Sequence, residues 1–99
     1  MKIFLDDTRD APEGWVLAKT ADKAINLLRL NKVECISLDY DLGSFYKTGY
    51  DVLRWIEDKI YLSDENFKVP EILIHTQNPV GRARMQAGLD SIKRKLKEK

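Results

Sequence analysis

Apolar residues along this chain fall into short unbroken runs separated by stretches where they recur every three or four positions. Residues 3–5 are apolar and stop abruptly at Asp6 and Asp7, which predicts a strand whose carboxyl end meets solvent or a site. Residues 8–14 hold Pro12 and Gly14 with little periodicity and read as a loop. A second strand is predicted over 15–18, with Trp15 in the core. Thr20 then offers an N-cap for a helix over 21–30 that aligns Ala24, Leu27 and Leu28. The third strand, 34–38, again ends in an acid, Asp39, followed by Tyr40 and Asp41. After the polar stretch 43–48 the spacing predicts a helix over 49–60. Val52, Leu53, Ile56 and Ile60 share one face of it, and Asp51, Arg54, Glu57 and Asp58 lie elsewhere. Pro70 introduces a fourth strand, 71–74, which delivers His75 and Thr76. Asn78 and Pro79 are suited to a cap and a first helical position, where proline's missing N–H costs nothing. The helix that follows carries Met85, Leu89, Ile92 and Leu96 on one stripe, with Gly81 and Gly88 weakening it locally.

Strands that alternate with helices, and are continuously apolar, imply an α/β fold with a parallel sheet covered on both faces. Right-handed crossovers then place every strand's carboxyl end on one edge. Asp6, Asp7, Asp39, Asp41, His75 and Thr76 are expected to converge there, far apart as they are in sequence.

At 99 residues the chain is sized for one core, so a single domain over 1–99 is expected. The net charge of +1 gives no general polyanion signal, but its distribution is uneven. Residues 1–78 hold 10 Lys/Arg against 14 Asp/Glu, a net of −4, whereas residues 79–99 hold 7 against 2, a net of +5. The single cysteine, Cys35, excludes an intramolecular disulfide and a thiolate metal cluster. No run of about 18 apolar residues suggests a membrane span, and the amino terminus is unlike a signal peptide, so a cytoplasmic protein is expected.

Four carboxylates at one sheet edge repel one another and raise one another's pKa values unless a cation sits among them. Magnesium, or manganese in its place, takes oxygen ligands and works beside substrate phosphates; Asp6, Asp7 and Asp39 are the candidate ligands. The same acids also suit solvated strand ends or caps. His75, the only histidine, is a candidate general acid or base because imidazole titrates near about 6.5. Arg9 could grip a phosphate, and Thr76 and Asn78 could donate hydrogen bonds to phosphoryl oxygens, with helix capping as the alternative for Asn78. Trp15, Phe45, Tyr46 and Tyr50 are aromatic residues that could stack on a base, Phe45 and Tyr46 being the better placed. Arg82, Arg84, Lys93, Arg94, Lys95 and Lys97 make the last helix basic, which suits either a polyanion or the helix dipole.

Leu5-Asp6-Asp7 after the first strand, Leu38-Asp39 after the third, Gly49 at the next helix and Thr76 after the fourth resemble the receiver domain of response regulators. In receivers the acid pair binds magnesium, the residue matching Asp39 accepts a phosphoryl group, and the one matching Thr76 contacts it. Residues 8–14 leave no room for a receiver's first helix, and the 99 residues hold no match to its fifth strand, its lysine or its final helix. More closely, LDDTRDAP at 5–12, SLDYDLG at 37–43, GYDVLRW at 49–55 and HTQNPVG at 75–81 resemble the cyclic-phosphate processing receiver-like family. That resemblance implies a truncated, flavodoxin-like parallel sheet of about four strands in the order 2-1-3-4 with flanking helices. It assigns Asp6, Asp7, Arg9, Asp39, Asp41, His75 and Asn78 to the site.

The expected function is a magnesium-dependent phosphoesterase, a hydrolase acting on a 2′,3′-cyclic RNA end or a related nucleotide, in keeping with a role in RNA repair. Asp39, Asp41 and His75 would be catalytic, and Arg9, Thr76 and Asn78 would bind substrate. The alternative is a receiver-like signalling or adaptor module, phosphorylated at Asp39 or purely binding. A monomer with the last helix as a lid is expected, with a dimer through the open sheet edge as the other arrangement.

Overall fold

The computed structural model describes residues 1–43, 47–62 and 66–98. Seven elements follow one another: β1 (Lys2–Leu5), β2 (Val16–Ala18), α1 (Ala21–Leu28), β3 (Cys35–Leu38), α2 (Gly49–Tyr61), β4 (Glu71–Ile74) and α3 (Pro79–Lys97). The strands form one parallel sheet in the order β2-β1-β3-β4. Thr20 caps α1 by accepting from the Lys23 amide, and Asn78 caps α3 by accepting from the Val80 and Gly81 amides, with Pro79 at the first position. Thr48 forms a capping box with Asp51 at the start of α2. Each such cap stabilises its helix by about 1 kcal/mol.

The expectation of a sheet covered on both faces is corrected by the connections. The β2-α1-β3 and β3-α2-β4 crossovers run in the same direction across the sheet, and with right-handed connections both helices land on one face. The step in the opposite direction, β1 to β2, is a loop without a helix. α3 packs against α2 and β4 on the side already covered. Ile3, Leu5, Ala18, Ile36, Leu38 and Ile72 therefore form the core with Ala24, Leu28, Val52, Leu53, Ile56, Met85 and Ile92 from the helices. Full burial of each Leu or Ile contributes about 2 kcal/mol. Side chains alternate along a strand, so Phe4, Ser37 and Leu73 point the other way, where no described helix lies.

Trp15 belongs to that uncovered face rather than to the core. Its ring meets Phe4 edge-on at 6.3 Å between centroids, with the Lys2 ammonium 5.8 Å away. In the last helix Met85, Leu89 and Ile92 are buried as the stripe predicts, whereas Leu96 is 40% exposed near the end. No helix among the described residues is long and apolar enough to cross a membrane.

Candidate functional site

The parallel register ends β1, β3 and β4 side by side, so the residues after them meet at one edge. Asp6 is fully buried. Its Oδ1 accepts from the Thr8 amide (2.9 Å), the Arg9 amide (2.9 Å) and the Thr8 hydroxyl (3.2 Å), which turns the chain sharply out of β1. Its Oδ2 lies 3.0 Å from His75 Nε2 and 3.9 Å from Arg9 Nε. Burial works to raise this carboxyl, but the Arg9 and Thr8 amides, with His75 and the Thr8 hydroxyl, hold it below its ordinary value.

His75 is fixed at both nitrogens. An ionised Asp6 can only accept, so Nε2 carries a proton toward it, and Nδ1 shares a hydrogen bond of 2.6 Å with the Ser37 hydroxyl. The ring also stacks on Phe4, with centroids 4.2 Å apart and planes at 8°. Ser37 was not among the residues singled out from sequence. The signal was available: one hydroxyl inside an otherwise apolar strand, two positions before Asp39 and therefore on the same face.

An open cleft of about 400 Å³ lies over this edge. Asp7, Asp39 and Asp41 supply carboxylates to its wall, and Arg9, Thr76 and Asn78 line it as well. Thr8, Gln77 and Gly43 complete the lining. Asp6 and His75 are not part of that wall but stand behind it. Gly43 has φ +67°, and a Cβ there would stand 2.9 Å from Asp7 Oδ2, so glycine both permits the turn and leaves the carboxylate room. Asn78 Nδ2 donates to Asp41 Oδ2 at 3.1 Å while its Oδ1 caps α3, so the capping reading of this residue holds and its amide nitrogen is turned toward a cleft acid. Arg82 ties the α3 start to the Thr76 carbonyl at 3.0 Å.

Burial pushes the Asp39 carboxyl above its ordinary value. The Asp6 charge adds to this, while hydrogen bonds from the Thr76 hydroxyl and the Tyr40 amide oppose it. Such an excess of negative charge is what a divalent cation relieves, and the cleft carboxylates Asp7 and Asp39 are the hard oxygen donors magnesium prefers. Oxygen or nitrogen atoms of Asp6, Asp39 and His75 also lie within 4.8 Å of one another, but the Asp6 and His75 atoms there are bonded to each other. The acids close enough to share a hard cation are therefore Asp39 and Asp6, and Asp7 contributes a further carboxylate to the same cleft wall.

Tyr50 is not part of the cleft lining, and its ring carries the Arg84 guanidinium at 4.4 Å. Phe45 and Tyr46 lie outside the described residues. No curated protein and no solved structure matches the chain. The family model described as the cyclic-phosphate processing receiver domain matches residues 1–91, a span that includes all four strands and the whole cleft. The chain belongs to the family of cyclic-phosphate processing receiver domains.

Proposed function

We propose that the chain is a magnesium-dependent phosphoesterase that opens a cyclic phosphate, either the 2′,3′-cyclic end of an RNA or a related small nucleotide. The observation that carries this reading is one cleft that joins acids suited to a cation with an arginine and amide donors suited to a phosphate. Magnesium or manganese held by Asp39 and Asp6, with Asp7 as a further carboxylate of the cleft wall, would offset the negative charge of the bound phosphodiester.

Arg9 lines the cleft with its amide anchored on Asp6, so its guanidinium would be available to the non-bridging oxygens of a phosphate bound there. Across the cleft, Thr76 holds the Asp39 carboxylate and the second N–H of Asn78 would add a donor for the phosphate. Asp41 is exposed to the cleft and oriented by Asn78, which suits it to take a proton from the attacking water. The water oxygen bonds to phosphorus, one ring P–O bond breaks, and Asp41 returns the proton to the departing ribose oxygen. His75, engaged at both nitrogens, positions Asp6 and the loop carrying Arg9 instead of meeting substrate.

A second reading is supported by the Thr76 hydroxyl bonded to Asp39, an arrangement suited to a phosphoryl group on Asp39 itself. The experiment is incubation with an RNA oligonucleotide ending in a 2′,3′-cyclic phosphate, with magnesium or with chelator, followed by phosphorus NMR. Metal-dependent opening to a monophosphate is expected, and Asp39→Asn should lower it by about a hundredfold or more. Unchanged turnover in that variant overturns the site assignment. Absence of turnover together with acid-labile labelling of Asp39 by acetyl phosphate favours the second reading.

A further inference from the structure

The face of the sheet opposite the three helices holds apolar residues that take no part in the core. Phe4, Trp15 and Leu17 are half-buried there, and Leu73 is 42% exposed. These side chains stand in rows set by the strand register. One row reads Lys2 on β1, Cys35 on β3 and Glu71 on β4, and the next reads Phe4, Ser37 and Leu73. About β3, the first row is positive on one side and negative on the other. The second is apolar on both sides with a small residue between.

We propose that this sheet face is the contact surface for a second copy of the same chain, related by a two-fold axis in the interface that runs along β3. Such an axis exchanges the two sides of each row. Lys2 then faces Glu71 of the partner subunit, and Phe4 faces Leu73 of the partner subunit, each contact occurring twice. Strands paired this way run in the same direction across the interface, as in aligned sheet packing about 10 Å apart. An axis displaced to β1 or β4 sets Lys2 or Glu71 against its own copy and loses both of these matches, so the pattern selects β3. The proposal goes beyond the phosphoesterase reading and does not depend on it, since its contacts come from residues within the strands whereas the cleft is lined by residues beyond their carboxyl ends.

Neither sheet edge is used, which separates this arrangement from pairing through the free side of β4. Lys2, Glu71 and Leu73 are all exposed, so substitutions there leave the folded core intact.

The test is sedimentation equilibrium of the purified chain from about 10 µM to about 1 mM, the range in which modest interfaces associate. The mass should rise toward twice the 11.5 kDa of one chain. Leu73→Lys should hold it at 11.5 kDa throughout. Lys2→Glu and Glu71→Lys should each weaken association by about tenfold, and the double exchange should restore most of the loss. Circular dichroism melts accompany each variant; should Leu73→Lys prove unfolded, the charge series alone decides. A wild-type chain monomeric at every concentration, a folded Leu73→Lys variant that still dimerises, or a double exchange no better than either single one overturns the proposal.

Discussion

Asp6 and Asp39 end neighbouring strands with the same side chain, yet their surroundings drive them in opposite directions. Burial opposes the ionisation of both. Asp6 is supplied with two amides, a hydroxyl and an imidazole, enough to hold its carboxyl low, whereas Asp39 has fewer donors and the charge of Asp6 beside it. A carboxyl lowered on folding stabilises the protein above its unfolded pKa of about 3.9, and that contribution is lost as pH falls through the folded value. Urea midpoints measured between about pH 6 and about pH 2 should therefore decline for the wild type, and less steeply for Asp6→Asn. Equal slopes would mean that the donors around Asp6 do not favour its ionised form. The convergence of these acids was legible in sequence because each follows an apolar run, and topology does the rest. The division of labour among them was not, because it depends on which oxygens the backbone amides claim first. His75 illustrates the same gap. Its place at the strand end was readable, but its capture by Ser37 and Asp6 required the register of three strands.

At the level of elements, the cleft depends on how closely helix starts approach strand ends. The Gly49 amide donates to the Tyr40 carbonyl at 3.1 Å, and a Cβ on Gly49 would overlap the Asp39 carbonyl oxygen. Gly81 brings the first turn of α3 against the Tyr40 ring in the same way. Gly49→Ala should destabilise the fold by about 3 kcal/mol, since the obstacle is backbone and cannot swing aside. Gly14→Ala meets no atom within 4 Å and should cost only about 1 kcal/mol through its φ of +85°. Chemical denaturation of the two variants checks the contrast, and similar losses would show that Gly49 is not needed for close approach. Sequence periodicity found every strand and helix, with small shifts such as a first helix ending at Leu28 in place of residue 30. It overstates the coverage of the sheet, because a continuous apolar strand reads as one with two covered faces. β3 carries Cys35 and Ser37 toward the open side, and these are small enough to be sheltered by Lys2, Glu71, Phe4 and His75 without a helix. An alternation hidden among small residues is easily read as none.

For the molecule as a whole, one end of the sheet concentrates carboxylates while α3 carries a basic run of six Lys/Arg, several already engaged. Arg82 holds the Thr76 carbonyl, Arg84 covers Tyr50 and Lys95 covers Tyr61. Those cations tie the helix to the body rather than neutralise the cleft, so the charge around Asp39 is carried as a cost to folding. Raising a carboxyl's pKa on folding means that its ionisation destabilises the protein as pH rises through the interval up to the folded value, and above that value the full cost is present. A cation that binds only the folded chain reverses this by mass action, contributing about 2.7 kcal/mol at a hundredfold excess over its dissociation constant. For a chain of this length that corresponds to a rise in melting temperature of about 10 °C or more. Asp39→Asn removes both the cost and the ligand. It should melt above the wild type in chelator and gain little from magnesium, while the wild type gains the full shift at matched ionic strength. Circular dichroism melts of the two chains with and without magnesium separate the possibilities. Equal magnesium shifts in both would place the cation away from Asp39. A variant less stable than wild type in chelator would mean that the bonds from Thr76 and Tyr40 outweigh the repulsion from Asp6.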